Sequence, residues 1–213
     1  MRNDNKIITK VREALRGTLT SGIQLPTISP LRQSQNLEVE IQTFLRELAL
    51  LSAEGHLIYE GEVSEQLERL IGEQRITKAT MWKTPLLERL RIREHLQALG
   101  VEIISPNASK NELAKCDLGV TEADFLLPET ATVGLLASRE KSRAVSLLPR
   151  IHLVIAHTSK FRADLFEVLT EAKQYHYFVL ITGPSRTADI ELTVTLGVHG
   201  PQKLVIWLMK DEN

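Results

Sequence analysis

From Leu37 onward, helical stretches and short extended runs take turns along the chain, and that order leaves few architectures open. Leu37, Ile41, Phe44, Leu45, Leu48 and Leu51 recur at the spacing of one helical face, in a segment that ends at Gly55. "HLIYE" reads as a strand, and a helix over Ser64–Ile71 follows with Ser64 placed as its N-cap. "RITKATMW" is the next strand. Thr84-Pro85 then opens a helix running to Gly100, with proline in the first turn and glycine just past the end. "VEIISP" is strand-like and Asn107–Lys115 reads as a short helix. Alternation of this kind predicts an α/β domain with a largely parallel sheet flanked by helices.

After Cys116 the texture changes. "LGVTEADFLLPETATVGLLAS" holds β-branched stretches broken at Pro128-Glu129-Thr130-Ala131, which predicts two strands meeting at a bend, inserted in or added to the sheet. "RIHLVIAHT" and "YHYFVLITG" flank a helix with Phe161, Leu165, Phe166, Val168 and Leu169 available for packing. The expectation is a βαβ unit with right-handed crossover. "KLVIWLM" supplies a last strand. Ahead of this body, Ile7, Ile8, Val11 and Leu15 mark a short helix ended by Gly17, and residues 18–36 read as an irregular linker rich in Ser, Thr and Pro. The division is therefore 1–36, an N-terminal helical arm and linker, and 37–213, one α/β domain.

Charge and cysteine usage exclude several kinds of chemistry. With 26 basic and 27 acidic residues the net charge is −1, against the basic stripe of a nucleic-acid or membrane-surface binder. No apolar run approaches the roughly 20 residues of a membrane span. No secretory leader is read at the first residues, so the cytoplasm is the expected compartment. The single cysteine, Cys116, bars this chain from holding an iron–sulfur cluster alone, since such clusters take about four thiolates. The six histidines form no ligand cluster; His152 and His157 share a strand but are an odd number of positions apart and face opposite sides. No metal is expected.

Three polar stretches are candidates for chemistry. In open α/β sheets ligands gather beyond the carboxyl ends of strands, and "ITGPSRTADIE" lies at such an end. Gly183 permits close backbone approach, Ser185 and Thr187 offer hydroxyls, and Arg186 is suited to carboxylate or phosphate. The competing reading is a plain capped turn in which Arg186 pairs with Asp189 or Glu191. The second stretch carries Glu122 and Asp124 on one side of an extended segment and Glu129 with Thr130 at the bend. The third, Arg139, Lys141 and Arg143, either balances those acids or holds an anion. His199, in "GVHGP", is the one histidine kept as a possible ligand contact. No Walker A or Gly-x-Gly-x-x-Gly pattern occurs.

"GVTEADFLLPETATVGLLAS", "SRAVSLLPRIHLVIA" and "ITGPSRTADIELTVTLGVHGPQKLVIWLM" together resemble the lactate-utilisation protein C family, also called LUD-domain proteins. The opening "IITKVREAL" and the helix before Gly55 fit the same pattern, so the resemblance covers almost the whole chain. It implies a NagB/RpiA/CoA-transferase-like fold. It also implies an accessory role in oxidising L-lactate to pyruvate, beside iron–sulfur lactate-utilisation subunits that carry the clusters, with no cofactor bound by this chain alone. The matching segments carry the candidate ligand residues Glu129, Thr130, Arg143, Gly183, Ser185, Arg186, Thr187, Asp189 and His199. At the bend the family usually has Glu-Thr-Gly-Thr, where this chain has Glu129-Thr130-Ala131-Thr132. The alternative function is a stand-alone enzyme or binding protein for a small anionic, phosphorylated or CoA-linked, metabolite.

Overall fold

The computed structural model describes residues 4–15, 32–138, 140–175, 177–187 and 195–210. A first helix, α1 (Asp4–Leu15), exposes Ile7, Ile8 and Val11. The body begins with α2 (Leu37–Leu50), whose Asn36 cap accepts a hydrogen bond from the Glu38 amide, and continues through β1 (Glu54–Ile58). Next come α3 (Val63–Gln74), β2 (Lys78–Met81), α4 (Pro85–Arg89), α5 (Ile92–Ala98), β3 (Glu102–Ile104) and α6 (Lys110–Leu113). The chain then forms β4 (Leu118–Glu122), β5 (Phe125–Leu127), β6 (Thr132–Leu136), α7 (Ala144–Leu147) and β7 (Ile151–His157). It closes with α8 (Leu165–Ala172), β8 (Phe178–Thr182), β9 (Arg186–Thr187), β10 (Thr195–Leu196) and β11 (Lys203–Met209).

Six strands make one parallel sheet in the order β1-β11-β7-β4-β2-β3. This is the largely parallel, helix-flanked α/β architecture that the alternation predicts. Its central strands are apolar because both faces are covered: Ile151–Ala156 and Leu204–Met209 are buried throughout. Trp82, Trp207 and Phe44 are the largest fully buried side chains. Among the described residues no helix is long and apolar enough to cross a membrane.

Three local expectations are corrected. The helix from Thr84 to Gly100 is two helices, because Arg91 adopts a left-handed backbone (φ 50°) that resets the helical phase. That break lets Leu87, Leu90, Ile92 and Leu96 all face the core although 90 and 92 are out of helical step. Ser64 is not a cap; α3 begins one residue earlier, with Glu62 at the cap position and the Glu62 carboxylate accepting from the Tyr59 amide. Most consequentially, β7, α8 and β8 do not form a βαβ unit. β7 is already flanked on both sides by β4 and β11, and β8 is only half-buried. β8 instead pairs antiparallel with β6, in a second sheet ordered β5-β6-β8.

Candidate functional site

Leaving the parallel sheet has a geometric consequence for the end of β8. Gly183 turns there with φ 82°, and the chain descends over the amino ends of β7 and β11 rather than beyond their carboxyl ends. The expectation that residues 182–189 lie at the carboxyl end of a strand of the parallel sheet is thereby overturned. Ser185 donates its amide to the Pro201 carbonyl (3.0 Å) and accepts from the Gly197 amide (2.9 Å). Antiparallel pairing of Thr187 with Thr195 and of Arg186 with Leu196 reinforces that clamp. These bonds set His199 and Gly200 beside Ser185. A hollow of about 230 Å³ opens between this clamp, the end of α7 at Ser146 and Leu147, and the sheet face at His152 and Leu204.

The floor of the hollow depends on a row of registered residues, Thr80, Gly119, His152 and Leu204. A side chain at Gly119 would place its first carbon 2.0 Å from the Val145 carbonyl oxygen, so only glycine lets α7 lie on β4. The His152 ring is 1% exposed and its Nε2 lies 2.8 Å from the Thr121 hydroxyl. Burial pushes its pKa down to about 3, because desolvation penalises the imidazolium. The ring is neutral near pH 7, and its second nitrogen, Nδ1, is buried without a hydrogen-bond partner.

A second hollow, of about 520 Å³, shares Leu180 and Thr182 with the first and reaches the bend at Glu129 and Thr130. Three hydroxyls link the two: Thr130 to Thr132 at 2.8 Å and Thr132 to Thr182 at 2.7 Å. Arg32 lines this second space with its side chain 9% exposed. Its guanidinium donates to Glu40 at 2.5 Å and to the Ala163 carbonyl at 3.2 Å, and its Nε is 3.1 Å from the Glu129 carboxylate. Glu129 itself projects outward, 64% exposed. Ala131, where the family usually has glycine, sits in the left-handed region (φ 47°) with its methyl buried, which is the conformation glycine adopts most easily.

The candidates of the sequence thus divide. Gly183, Ser185 and His199 line the first hollow, and Glu129 and Thr130 the second. Arg186 is exposed and donates to the Leu51 carbonyl, and Thr187 is held in β9. Arg143 lines neither space and stacks over the Tyr177 ring at 3.9 Å. Asp189 lies outside the described residues. In the basic run, Lys141 pairs with Asp124 at 2.9 Å and sits over Trp82. The candidate ligand residues read from the sequence left out His152, Thr121, Thr132, Thr182 and Arg32. A histidine inside the apolar run "IHLVIA" was a signal for a buried polar group. Arg32 gave none, since Glu129 is far away in sequence. Cys116 is buried, and desolvation together with Asp117 pushes its thiol up to about 11. Among the described residues no group of three or more His, Cys, Asp or Glu is placed to hold a metal.

Fold and hollows together define an α/β protein whose parallel sheet carries an antiparallel three-stranded annex, which starts from the carboxyl end of β4 and leads, after β8, to a loop over the amino ends of β7 and β11. The LUD domain family profile matches residues 41–209, and the chain belongs to that family. It is 24% identical to lactate utilization protein C of Halalkalibacterium halodurans over 96% of each chain. Identity to lactate utilization protein C of Shouchella clausii is 27%, over 81% of this chain and 80% of that one. Identity to the uncharacterized protein YkgG of Escherichia coli is 33%, over 86% and 84%. The crystal structure of a DUF162 family protein from Deinococcus radiodurans superposes with a TM-score of 0.60 at 17% identity, covering 83% of this chain and all of that one, a likeness of fold.

Proposed function

We propose that this protein serves in lactate utilisation, as an accessory subunit of a system in which iron–sulfur partners oxidise L-lactate to pyruvate. The observation that carries the reading is the end-to-end similarity to a lactate utilization protein C, spanning 96% of both chains. Cluster chemistry falls to the partners, because one cysteine cannot supply about four thiolates. The hydroxyacid falls to them as well. A carboxylate needs a free cation, and the only lysine or arginine among the described residues lining the two hollows is Arg32, already engaged by Glu40 and Glu129. The same pairing leaves the alternative, an enzyme for phosphorylated or CoA-linked metabolites, without a supporting observation.

The test is a clean deletion of the gene in its own host. Growth on L-lactate as sole carbon source should fail and return with the gene supplied in trans, while growth on pyruvate continues. Unchanged growth on L-lactate would remove the proposal. The accessory role has its own readout: the tagged chain should retain iron–sulfur subunits through purification from lactate-grown cells.

A further inference from the structure

The first hollow contains a feature that hydrogen bonding inside the protein does not explain. Thr121 is fully buried, and the one hydrogen bond its hydroxyl makes among the described residues is to His152 Nε2. Were the imidazole proton on Nε2, Thr121 would accept it, and the hydroxyl hydrogen would need a further acceptor. Nδ1 would also be a bare buried acceptor. With the proton on Nδ1, Thr121 donates to Nε2 and a single group is left over, the Nδ1–H. Buried donors are rarely left unpaired, and His152 is one of the residues lining an open hollow.

The walls define what could pair with it. Among the described residues no aspartate, glutamate, lysine or arginine lines this hollow. The ring itself stays uncharged, since burial holds its pKa near 3. A charged guest would lose its hydration and meet no counter-charge among the described residues. Leu147, Val179, Ile181 and Leu204 present apolar surface, while Ser185 and His199 supply polar groups beside it. We propose that this hollow is a binding site for a small uncharged molecule with an apolar body and a carbonyl oxygen, and that His152 Nδ1–H donates the hydrogen bond that orients it. The inference goes beyond the lactate reading and can fail while that reading stands, because it concerns a neutral guest of this chain rather than the hydroxyacid.

The experiment uses the full chain labelled with ¹⁵N-histidine and two-bond ¹H–¹⁵N correlation spectra, with cyclohexanone and methyl pyruvate as probes and pyruvate as the charged comparison. The His152 signals should show the Nδ1–H tautomer, unchanged between about pH 5 and pH 8, where an ordinary imidazole titrates. The Nδ1 resonance should move saturably with millimolar cyclohexanone or methyl pyruvate, and pyruvate should bind about tenfold more weakly or worse. His152→Phe identifies the signals by removing them; should that variant not fold, Thr121→Ser serves, by shifting them. Leu147→Trp, which narrows the hollow, should abolish the saturable response. An Nε2–H tautomer, a response to pyruvate equal to that of its ester, or no saturable response to either ketone, leaving water alone in the hollow, would each overturn the proposal.

Discussion

Replacing Gly119 by alanine tests the packing on which the first hollow stands. The added carbon would lie 2.0 Å from the Val145 carbonyl oxygen, 3.1 Å from its carbonyl carbon and 3.0 Å from Pro149 Cγ. Ordinary contacts are more than an ångström longer than the first of these, and the obstacle is backbone rather than a side chain that can rotate. α7 must therefore move off β4, carrying the buried Val145 and Ser146 with it. Overpacking of a core typically costs about 1–3 kcal/mol, and this case belongs at the upper end. At about 2–4 °C per kcal/mol for a domain of this size, melting should fall by roughly 6–12 °C. Trp82 donates its indole N–H to the Ser142 carbonyl at the entry to α7, so its fluorescence reports the displacement directly. Urea denaturation followed at that tryptophan gives the free energy. Gly72→Ala is the internal control: nothing lies within 4 Å of the new carbon on α3, and alanine should stabilise the helix by about 0.5–1 kcal/mol. A Gly119→Ala protein within about 0.5 kcal/mol of wild type, the spread of neutral surface changes, would refute the packing of α7 on the sheet.

Three further outcomes are expected. Arg32→Ala leaves the buried Glu40 with only the Gln35 amide among the described residues, and urea unfolding should register a loss of about 3–5 kcal/mol, with Arg32→Met/Glu40→Leu recovering most of it. His152 has a folded pKa near 3 against about 6.5 when unfolded, so the unfolded chain binds the extra proton between those values. Its contribution to stability is complete above about pH 6.5 and declines by about 1.4 kcal/mol per unit as pH falls towards 3; the difference in urea midpoint between wild type and His152→Gln, measured from pH 7 to pH 5, should shrink accordingly. Cys116, buried and with its thiol pushed up to about 11, should resist iodoacetamide at pH 8 in the native protein and react promptly in urea, as mass spectrometry would show.

Legibility in the sequence followed the range of the interactions. The apolar runs of β7 and β11 announced a parallel sheet because their burial is written in consecutive residues, and the bend at Pro128–Ala131 announced a hairpin through local turn chemistry. The placement of β8 was not legible: Phe178–Thr182 reads like its neighbours, and only the prior occupation of both edges of β7 by β4 and β11 excludes it from the main sheet. That single pairing decides which strand ends Gly183 and Ser185 face. Glu129 and Ser185, candidates from two separate stretches, border two adjoining hollows that share Leu180 and Thr182. Arg186 looked like an anion ligand because its reach to the Leu51 carbonyl spans 135 positions that no local pattern records. Arg32 fell in an irregular stretch for the same reason.

The link between the first hollow and lactate utilisation can be measured in one experiment. A deletion strain is complemented with wild type, with Leu147→Trp, which intrudes on the hollow from the partly exposed end of α7, or with Leu169→Trp on the exposed face of α8. Protein levels are matched by immunoblot, and growth on L-lactate is followed. Wild type and Leu169→Trp should restore growth while Leu147→Trp should not. Equal growth of all three would contradict a functional role for the hollow.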